Sequence, residues 1–507
     1  MEEFFMKKRF AKIAALLCAL TMAASVVTSC GSKDDNSGTS GAKTGELDTS
    51  KEVELSIYVI GDRPAKQDEV EENYNKLFKE KLNCTVKTNY LSWAEYRNKY
   101  PLLFSSGEKF DMAYAASWLN FYSLAQKGAF MNLDELWPTY APKNFAQQSE
   151  TAKEQATVDG HYYGIPSLYK TYSAYGPIYR TDILEGTDWD GKMENLEDYE
   201  TYLSYVKKEA PEMQPLSIVQ EGAEIDELFM QERGLYPVKG ALGDFLWLDP
   251  TESNPKIFTY YDYEETPEFL ELVNRWNEAG YFSKSALSNT DTTEVENGKA
   301  ASRIKNMGTY EGAHIQHPDW GFKFANFVSD VSYSSFMQDA FVISNTSENP
   351  ERALAWYDLI TSDEEAFRTW NYGIEGKSYQ IVDGQVEKLN LEEYEENPLW
   401  TARTPGLFLR VFGSPADIPE MEASYDEHIK EDQGCQKFRA FNIDTSKVET
   451  EYAACINVHQ QYWWPLELGY TDPVEGLKEY QQKMEAAGVD KVIEEFQRQL
   501  DEYLKNK

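Results

Sequence analysis

The chain is short of positive charge, of cysteine, of histidine and of long apolar runs, and each shortage closes off a class of function. Lys and Arg number 49 against 86 Asp and Glu, a formal charge of −37. That excess repels phosphate backbones and anionic lipid headgroups, which argues against nucleic-acid partners and against adhesion to a membrane surface by charge. There are 5 cysteines, and beyond Cys30 only Cys84, Cys435 and Cys455 remain, too few for a disulfide framework. Cys435 and Cys455 could pair, but isolated thiols are the plainer expectation. Histidines number 5. His314 and His317 have the spacing of shared metal ligands, with Asp319 close by, yet Gly312 and Pro318 argue against the helix that such sharing needs, so no metal is expected. No G-x-S-x-G, P-loop or H-E-x-x-H motif is present. No apolar run reaches the roughly 18 residues that a spanning helix requires.

What is present begins at the N-terminus. Lys7, Lys8, Arg9 and Lys12 form a basic region, Ile13 to Val27 an apolar one, and Val27-Thr28-Ser29-Cys30 a lipobox in which small residues precede a cysteine that becomes lipidated. The bland alternative is a cleaved signal peptide with an incidental cysteine. Residues 31–50 are rich in Gly, Ser, Thr, Asp and Lys, too polar to order themselves. As a random coil this tether reaches roughly 25 Å. Residues 1–30 therefore read as a lipoprotein signal peptide, 31–50 as a flexible tether, and the rest as a folded part held at the outer face of the cell membrane by lipid (palmitate or a similar acyl chain). The chain is also rich in aromatics, with 34 Tyr, 12 Trp and 25 Phe. Most must be core, but Trp and Tyr also cluster beside Gly, Pro, Asn and Asp. A flat apolar face with a polar handle suits stacking on sugar rings.

Periodicity sets the start of the fold. Val53, Leu55, Ile57 and Val59 alternate with polar residues as a strand does. Val70, Tyr74, Leu77 and Phe78 recur at helical spacing. Cys84, Val86, Thr88 and Tyr90 give a second strand, Tyr96 to Phe104 a second helix interrupted or kinked at Pro101, and Phe110 to Ala115 a third strand. The order β-α-β-α-β implies a parallel sheet with right-handed crossovers. Ligands of open α/β sheets sit outside the carboxyl ends of the strands. Those ends carry Asp62, Trp93 and Trp118, and each Trp could be ligand platform or core. Further on, Thr266-Pro267-Glu268 starts a helix with a capping Thr, and Gly280 ends it. Ala300 to Ile304 reads as a strand ending in a loop that holds Tyr310 and Glu311. Tyr372 and Glu375 lie in a Gly-punctuated loop, either at the ligand or as a structural turn. Trp463-Trp464-Pro465 ends a helical stretch with rings that cannot both be buried easily. Val489 to Leu504 is an amphipathic helix.

Several segments resemble a known family. Ser106-Gly107-Glu108-Lys109-Phe110-Asp111 resembles the "SGE-x-FD" segment of carbohydrate-type (family 1) extracellular solute-binding proteins of ABC importers. Gly128-Ala129-Phe130, Gly164-Ile165-Pro166, Ile178 to Asp182 and Gly298 to Ala301 resemble further segments of it. Asn371-Tyr372-Gly373-Ile374-Glu375-Gly376-Lys377-Ser378-Tyr379 is similar to the "nYGIEGkhY" segment of the LipO-like lipoprotein branch, as are Phe441 to Asp444 and Glu494 to Asp501. The resemblance implies an α/β, two-lobed periplasmic-binding-protein-like fold (type II) with hinge-crossing strands, at Ser167 to Tyr175 and near Gln338 to Ile343. Lobe one would be 51–170 plus 340–385, and lobe two 171–339 plus 386–507. It implies a monomeric receptor with no reaction and no cofactor, partnered by ABC importer permease subunits and by the membrane through its lipid.

The resulting expectation is a lipid-anchored receptor in a Gram-positive-type envelope that delivers a sugar or oligosaccharide to an importer. Its ligand-binding residues would be Asp62, Trp93, Trp118, Tyr175, Tyr310, Glu311, Tyr372, Glu375 and Trp463. A surface glycoside hydrolase or lyase is the alternative from another class. Hydrolysis needs two carboxylates at a set separation, and an acidic sequence does not select the pair. An adhesion or scaffolding lipoprotein is the third reading.

Overall fold

The computed structural model describes residues 46–506 apart from 94, 220–223, 239–244 and 395–400. Cys30 and residues 31–45 of the tether lie outside the described residues. The strand Val53–Ile60 pairs in parallel with Cys84–Leu91 along its whole length, from Val53 opposite Cys84 to Ile60 opposite Leu91. On its other side it pairs in parallel with Met112–Ala115. A fourth strand, Ala340–Ile343, returns from far along the chain and joins antiparallel to Met112–Ala115. The alternation dictates this: Leu55, Ile57 and Val59 are fully buried. The helix Gln67–Leu82 buries Val70, Tyr74 and Phe78 against this sheet's neighbours. It ends at Asn83, which holds the left-handed conformation at φ 49°, a geometry that Asn tolerates better than most residues. The outer edge of the sheet is covered by a side chain: Asn75 accepts from the Val86 N–H at 2.6 Å and donates to its carbonyl at 3.0 Å. The second helix, Tyr96–Ser105, continues through Pro101.

A second sheet has the order Phe322–Phe324, Tyr175–Arg180, Ala300–Asn306, Gln214–Leu216. Tyr175–Arg180 runs antiparallel to both of its neighbours, and Gln214–Leu216 runs parallel to Ala300–Asn306. Around it packs a separate core that takes in Tyr199, Trp247, Trp276 and Trp463 and the C-terminal helices Pro473–Ala487 and Val489–Lys505. The first sheet has its own core around Leu55, Ile57, Phe341 and Trp356. Two segments cross between the cores side by side. Ile165 and Phe341 exchange both backbone hydrogen bonds, at 2.7 and 3.0 Å, and the Ser173 N–H donates to Ser332 at 2.8 Å.

Three local expectations are corrected. Residues 307–316 are a helix rather than a loop, because Asn306 caps it by accepting from the Thr309 N–H. Thr266 does not cap its helix; it lies inside it, and its hydroxyl donates to the Tyr260 carbonyl at 2.5 Å. The helix Tyr96–Ser105 is not broken at Pro101. Cys84, Cys435 and Cys455 are buried free thiols. Among the described residues no helix is long and apolar enough to cross a membrane.

Phe341 is fully buried in the first sheet and also belongs to the crossing pair. Phe341→Ala is expected to cost about 3–5 kcal/mol of stability. Urea unfolding checks this, and a loss below about 1 kcal/mol would show that neither the core nor the crossing depends on it.

Candidate functional site

The strand Met112–Ala115 ends in extended backbone at Ala116, followed by a tight turn over Ser117–Leu119. The turn carries Trp118 out of the carboxyl edge of the sheet. Its ring is half-buried, leans edge-on against Tyr96 with centroids 5.7 Å apart, and its Nε1 donates to the Gln338 carbonyl at 3.0 Å. Trp118 forms one wall of a cavity of about 490 Å³. The crossing segments supply a second wall with Tyr172 to Tyr175 and Ser332 to Ser335. The far wall comes from the second core and includes Glu224, Asp226, Gln231, Tyr236, Arg439 and Trp464.

The far wall is built on a short helix, Ile225–Glu232, preceded by Glu224 at φ 57°. A non-glycine residue in that region stores strain, of order 1–3 kcal/mol, and such residues gather at binding sites. Glu224 is held there by an ion pair with Lys305. Behind it, the buried carboxylate of Asp226 accepts from Trp463 Nε1 at 2.7 Å, and Glu467 accepts from the Ile225 and Asp226 N–H groups at 3.2 and 3.3 Å. The helix N-terminus favours one negative charge here, but two carboxyls in contact away from water cannot both ionise easily. Burial first, then the facing carboxylate of Asp226, pushes Glu467 well above the ordinary carboxylate range, and burial pushes Asp226 up as well. Both shifts favour the protonated acid over the carboxylate.

A π-helical turn, His459–Trp463, precedes the short helix Trp464–Glu467. The wider turn shifts the helix face by a residue. Trp463 is fully buried and stacks on Tyr260 with centroids 4.2 Å apart, while Trp464 is half-buried and faces the cavity. His459 lies fully within this stack, and burial pushes its imidazole down to about 3, so it is neutral.

Of the residues expected at the ligand, the cavity brings together Trp118 and Tyr175. Burial and the Glu224 carboxylate hold the Tyr175 hydroxyl well above the usual phenol range. Trp463 supports the wall from behind and is not part of the lining. The others lie elsewhere. Asp62 is exposed beyond its strand, and Trp93 is 41% exposed with its edge on Tyr96. Tyr310 is core: its ring stacks on Phe324 and its hydroxyl donates to Asp417 at 3.1 Å. Glu311 accepts from Ser414 at 2.5 Å and faces Arg410. Tyr372 is buried, its hydroxyl accepting from the Leu409 N–H at 2.8 Å, and Glu375 is exposed on the outer side of the same turn. Glu224, Asp226, Asp330, Arg439 and Glu467 were not found from sequence. Trp464 had a signal in the adjacent Trp pair; the charged residues had none, because they converge from distant parts of the chain. Among the described residues no group of His, Cys, Asp and Glu is arranged to hold a metal ion.

Residues 73–374 match the model of a family described as bacterial extracellular solute-binding protein, and residues 437–505 match a domain of unknown function. A carbohydrate ABC transporter substrate-binding protein of Streptococcus pneumoniae is 26% identical over 512 residues, covering 99% of each chain. The N-glycan transport solute binding protein NgtS of the same species, in complex with Man5GlcNAc, has a TM-score of 0.74 and 24% identity over 90% of this chain and 99% of its own. The alginate-binding protein AlgQ2 has a TM-score of 0.63 and 16% identity, covering 89% of this chain and 98% of its own. The fold is thus the two-lobed α/β fold of type II periplasmic solute-binding proteins.

The acid pair gives a pH signature. An acid whose folded pKa is raised adds stability that is full below its unfolded value, about 4, and is lost as pH rises through the folded value. Thermal stability of the wild type is therefore expected to decline more steeply toward alkaline pH than that of Glu467→Gln, whose amide replaces the protonated acid. Parallel profiles by calorimetry would show that the fold does not raise the proton affinity of Glu467.

Proposed function

Because the chain belongs to the bacterial extracellular solute-binding proteins, we propose that it is a receptor for an oligosaccharide, which it hands to the permease of an ABC importer. The observation that carries this reading is the cavity between the two cores, where the indoles of Trp118 and Trp464 meet carboxylates and amides. Indole faces stack on the apolar faces of pyranose rings, and the polar groups hydrogen-bond equatorial hydroxyls. The oligosaccharide ligands of similar receptors support the same class. The crossing segments, joined at Ile165–Phe341 and Ser173–Ser332, are the natural hinge for closure around a ligand. We take residues 51–170 plus 340–385 as lobe one and 171–339 plus 386–507 as lobe two; the two main cores support a division into two, while the hairpin of Tyr379–Val382 with Gln385–Lys388 and the packing of Ala402 in the first core argue for moving the boundary after 385 further along the chain.

The geometry argues against a hydrolase that uses the most buried acids of the cavity. Retaining glycosidases hold their carboxyls about 5–5.5 Å apart and inverting ones farther. Asp226 and Glu467 are instead both fully engaged with protein donors, the Trp463 indole and the backbone N–H groups of residues 225 and 226.

The indole assignment is checked by titration calorimetry with a mannose- and N-acetylglucosamine-containing oligosaccharide, together with product analysis. Trp118→Ala and Trp464→Ala are each expected to weaken binding by about 1–3 kcal/mol, roughly fivefold to 150-fold, with little loss of thermal stability. Trp463→Ala is expected to destabilise the fold by about 3–5 kcal/mol instead. Unchanged affinity in both cavity variants, or release of shorter sugars, would overturn the reading.

The lipobox and tether support anchoring through Cys30 at the outer face of the membrane, with the folded part outside the cell. Cys30→Ser is expected to leave the protein unprocessed or released to the medium. Recovery of that variant as a mature, lipid-labelled membrane protein would refute the anchor.

A further inference from the structure

We propose that the cleft selects glycans that carry no acid group, and that Asp330 is the residue that rejects uronate, sialate or sulfate units. The inference rests on the oligosaccharide reading and narrows it. The fold itself does not decide the point, since the alginate-binding neighbour shares it.

The charge of the lining decides it. Among the described lining residues, Glu224, Asp226, Glu227, Asp330 and Glu467 carry carboxyls, and Arg439 is the one Lys or Arg. Glu224 is neutralised by Lys305. Asp226 and Glu467 are turned to protein donors, the Trp463 indole and the backbone N–H groups of residues 225 and 226. Asp330 accepts from the Cys435 N–H at 2.7 Å, a neutral donor that leaves its charge facing the cavity. Its seat is built for a carboxylate. At Gly434, which holds φ 52°, a Cβ would fall 2.2 Å from Asp330 Oδ2. Any larger residue there would displace the carboxylate, so the glycine keeps Asp330 in the wall.

Arg439 does not offset this. Its Nε donates to the Ser334 carbonyl at 2.9 Å, and its guanidinium lies over the Phe336 ring at 4.0 Å and the Tyr333 ring at 5.2 Å. Burial lowers its basicity, to about 10, without removing the charge at neutral pH. Its Nη2 is a buried donor with no partner among the described residues, and its hydrogens suit neutral acceptors such as ring hydroxyls or an acetamido carbonyl. Because Nε is spent on the Ser334 carbonyl, the side edge formed by Nε and Nη2 is closed to two-pronged recognition of a carboxylate. An acidic sugar entering this cleft meets like charge at short range in a medium less polarisable than water. The charge of −37 on the whole chain repels it further at low ionic strength.

The test compares mannotriose with the trisaccharide of mannuronate, which differs in the oxidation of each C6 to a carboxylate. Calorimetry is run on the folded, lipid-free protein at low and high salt, with wild type and Asp330→Asn. The neutral sugar is expected to bind at least about tenfold tighter, with the gap shrinking in salt and in Asp330→Asn. That variant keeps an oxygen for the Cys435 N–H, and its melting temperature checks the fold. Equal or tighter binding of mannuronate overturns the charge selection while leaving the receptor reading in place. A gap that Asp330→Asn does not narrow overturns the role of Asp330. Binding of neither sugar, nor of the larger N-acetylglucosamine-containing glycan, overturns the receptor reading and this inference with it.

Discussion

The reciprocal backbone pairing of Ile165 with Phe341 is the constraint on which the rest of the molecule depends. Phe341 stands beside Tyr114 in the first sheet and turns its own N–H and C=O away from that strand, so those groups need a partner on the other side. Ile165 supplies it, at 2.7 and 3.0 Å, and the pairing ties the start of both crossing segments to the first core. The Ser173–Ser332 bond extends the same ladder toward the second lobe. From those strands come Tyr172 to Tyr175 and Ser332 to Ser335, which form the back of the cavity. A cavity backed by a two-stranded hinge can widen or narrow without breaking either core.

The second lobe answers a different demand. Its wall must present polar groups to a ligand and still rest on a packed interior. The stack of Trp463, Tyr260 and His459 supplies the interior, and the one-residue widening of the helix ahead of Trp464 lets adjacent indoles face opposite ways. Asp226 is the joint between them. Its carboxyl receives the Trp463 N–H on the buried side and also borders the cavity. The raised proton affinity of the Asp226–Glu467 pair lessens the cost of burying two acids side by side.

Local pattern carried the sequence reading a long way and then stopped for physical reasons. The strands over residues 53–60, 84–91 and 112–115 were legible because a half-buried strand writes its period into side-chain polarity. Trp118 was legible because topology alone says where a parallel sheet ends. Tyr310 was misplaced because Gly308 and Gly312 lower helix propensity, and the Asn306 cap together with a hydroxyl bond to distant Asp417 overrides them. Trp463 stood where Trp464 belongs because an ordinary helical period does not anticipate a π turn. In the loop of Tyr372 and Glu375 the glycines serve the turn: a Cβ at Gly373 would fall 2.6 Å from Ser378 Oγ, which itself bonds the Tyr372 carbonyl at 2.8 Å. Asp330, Arg439 and Glu467 are far apart in sequence, and no local signal marks residues whose only relation is to be folded together.

The side-chain bridge from Asn75 to both backbone groups of Val86 bears on colloidal behaviour. An open sheet edge is a template for the same strand in a second molecule, and at high local concentration such edges nucleate fibrils. Here the outermost strand of the first sheet meets an amide that already occupies its middle rungs. It spares the strand a proline or a bulge that would distort its register with Val53–Ile60. Crowded copies of the chain are thus kept apart at the strand edge by a group that fits inside their own fold, and at longer range by a surplus of negative charge.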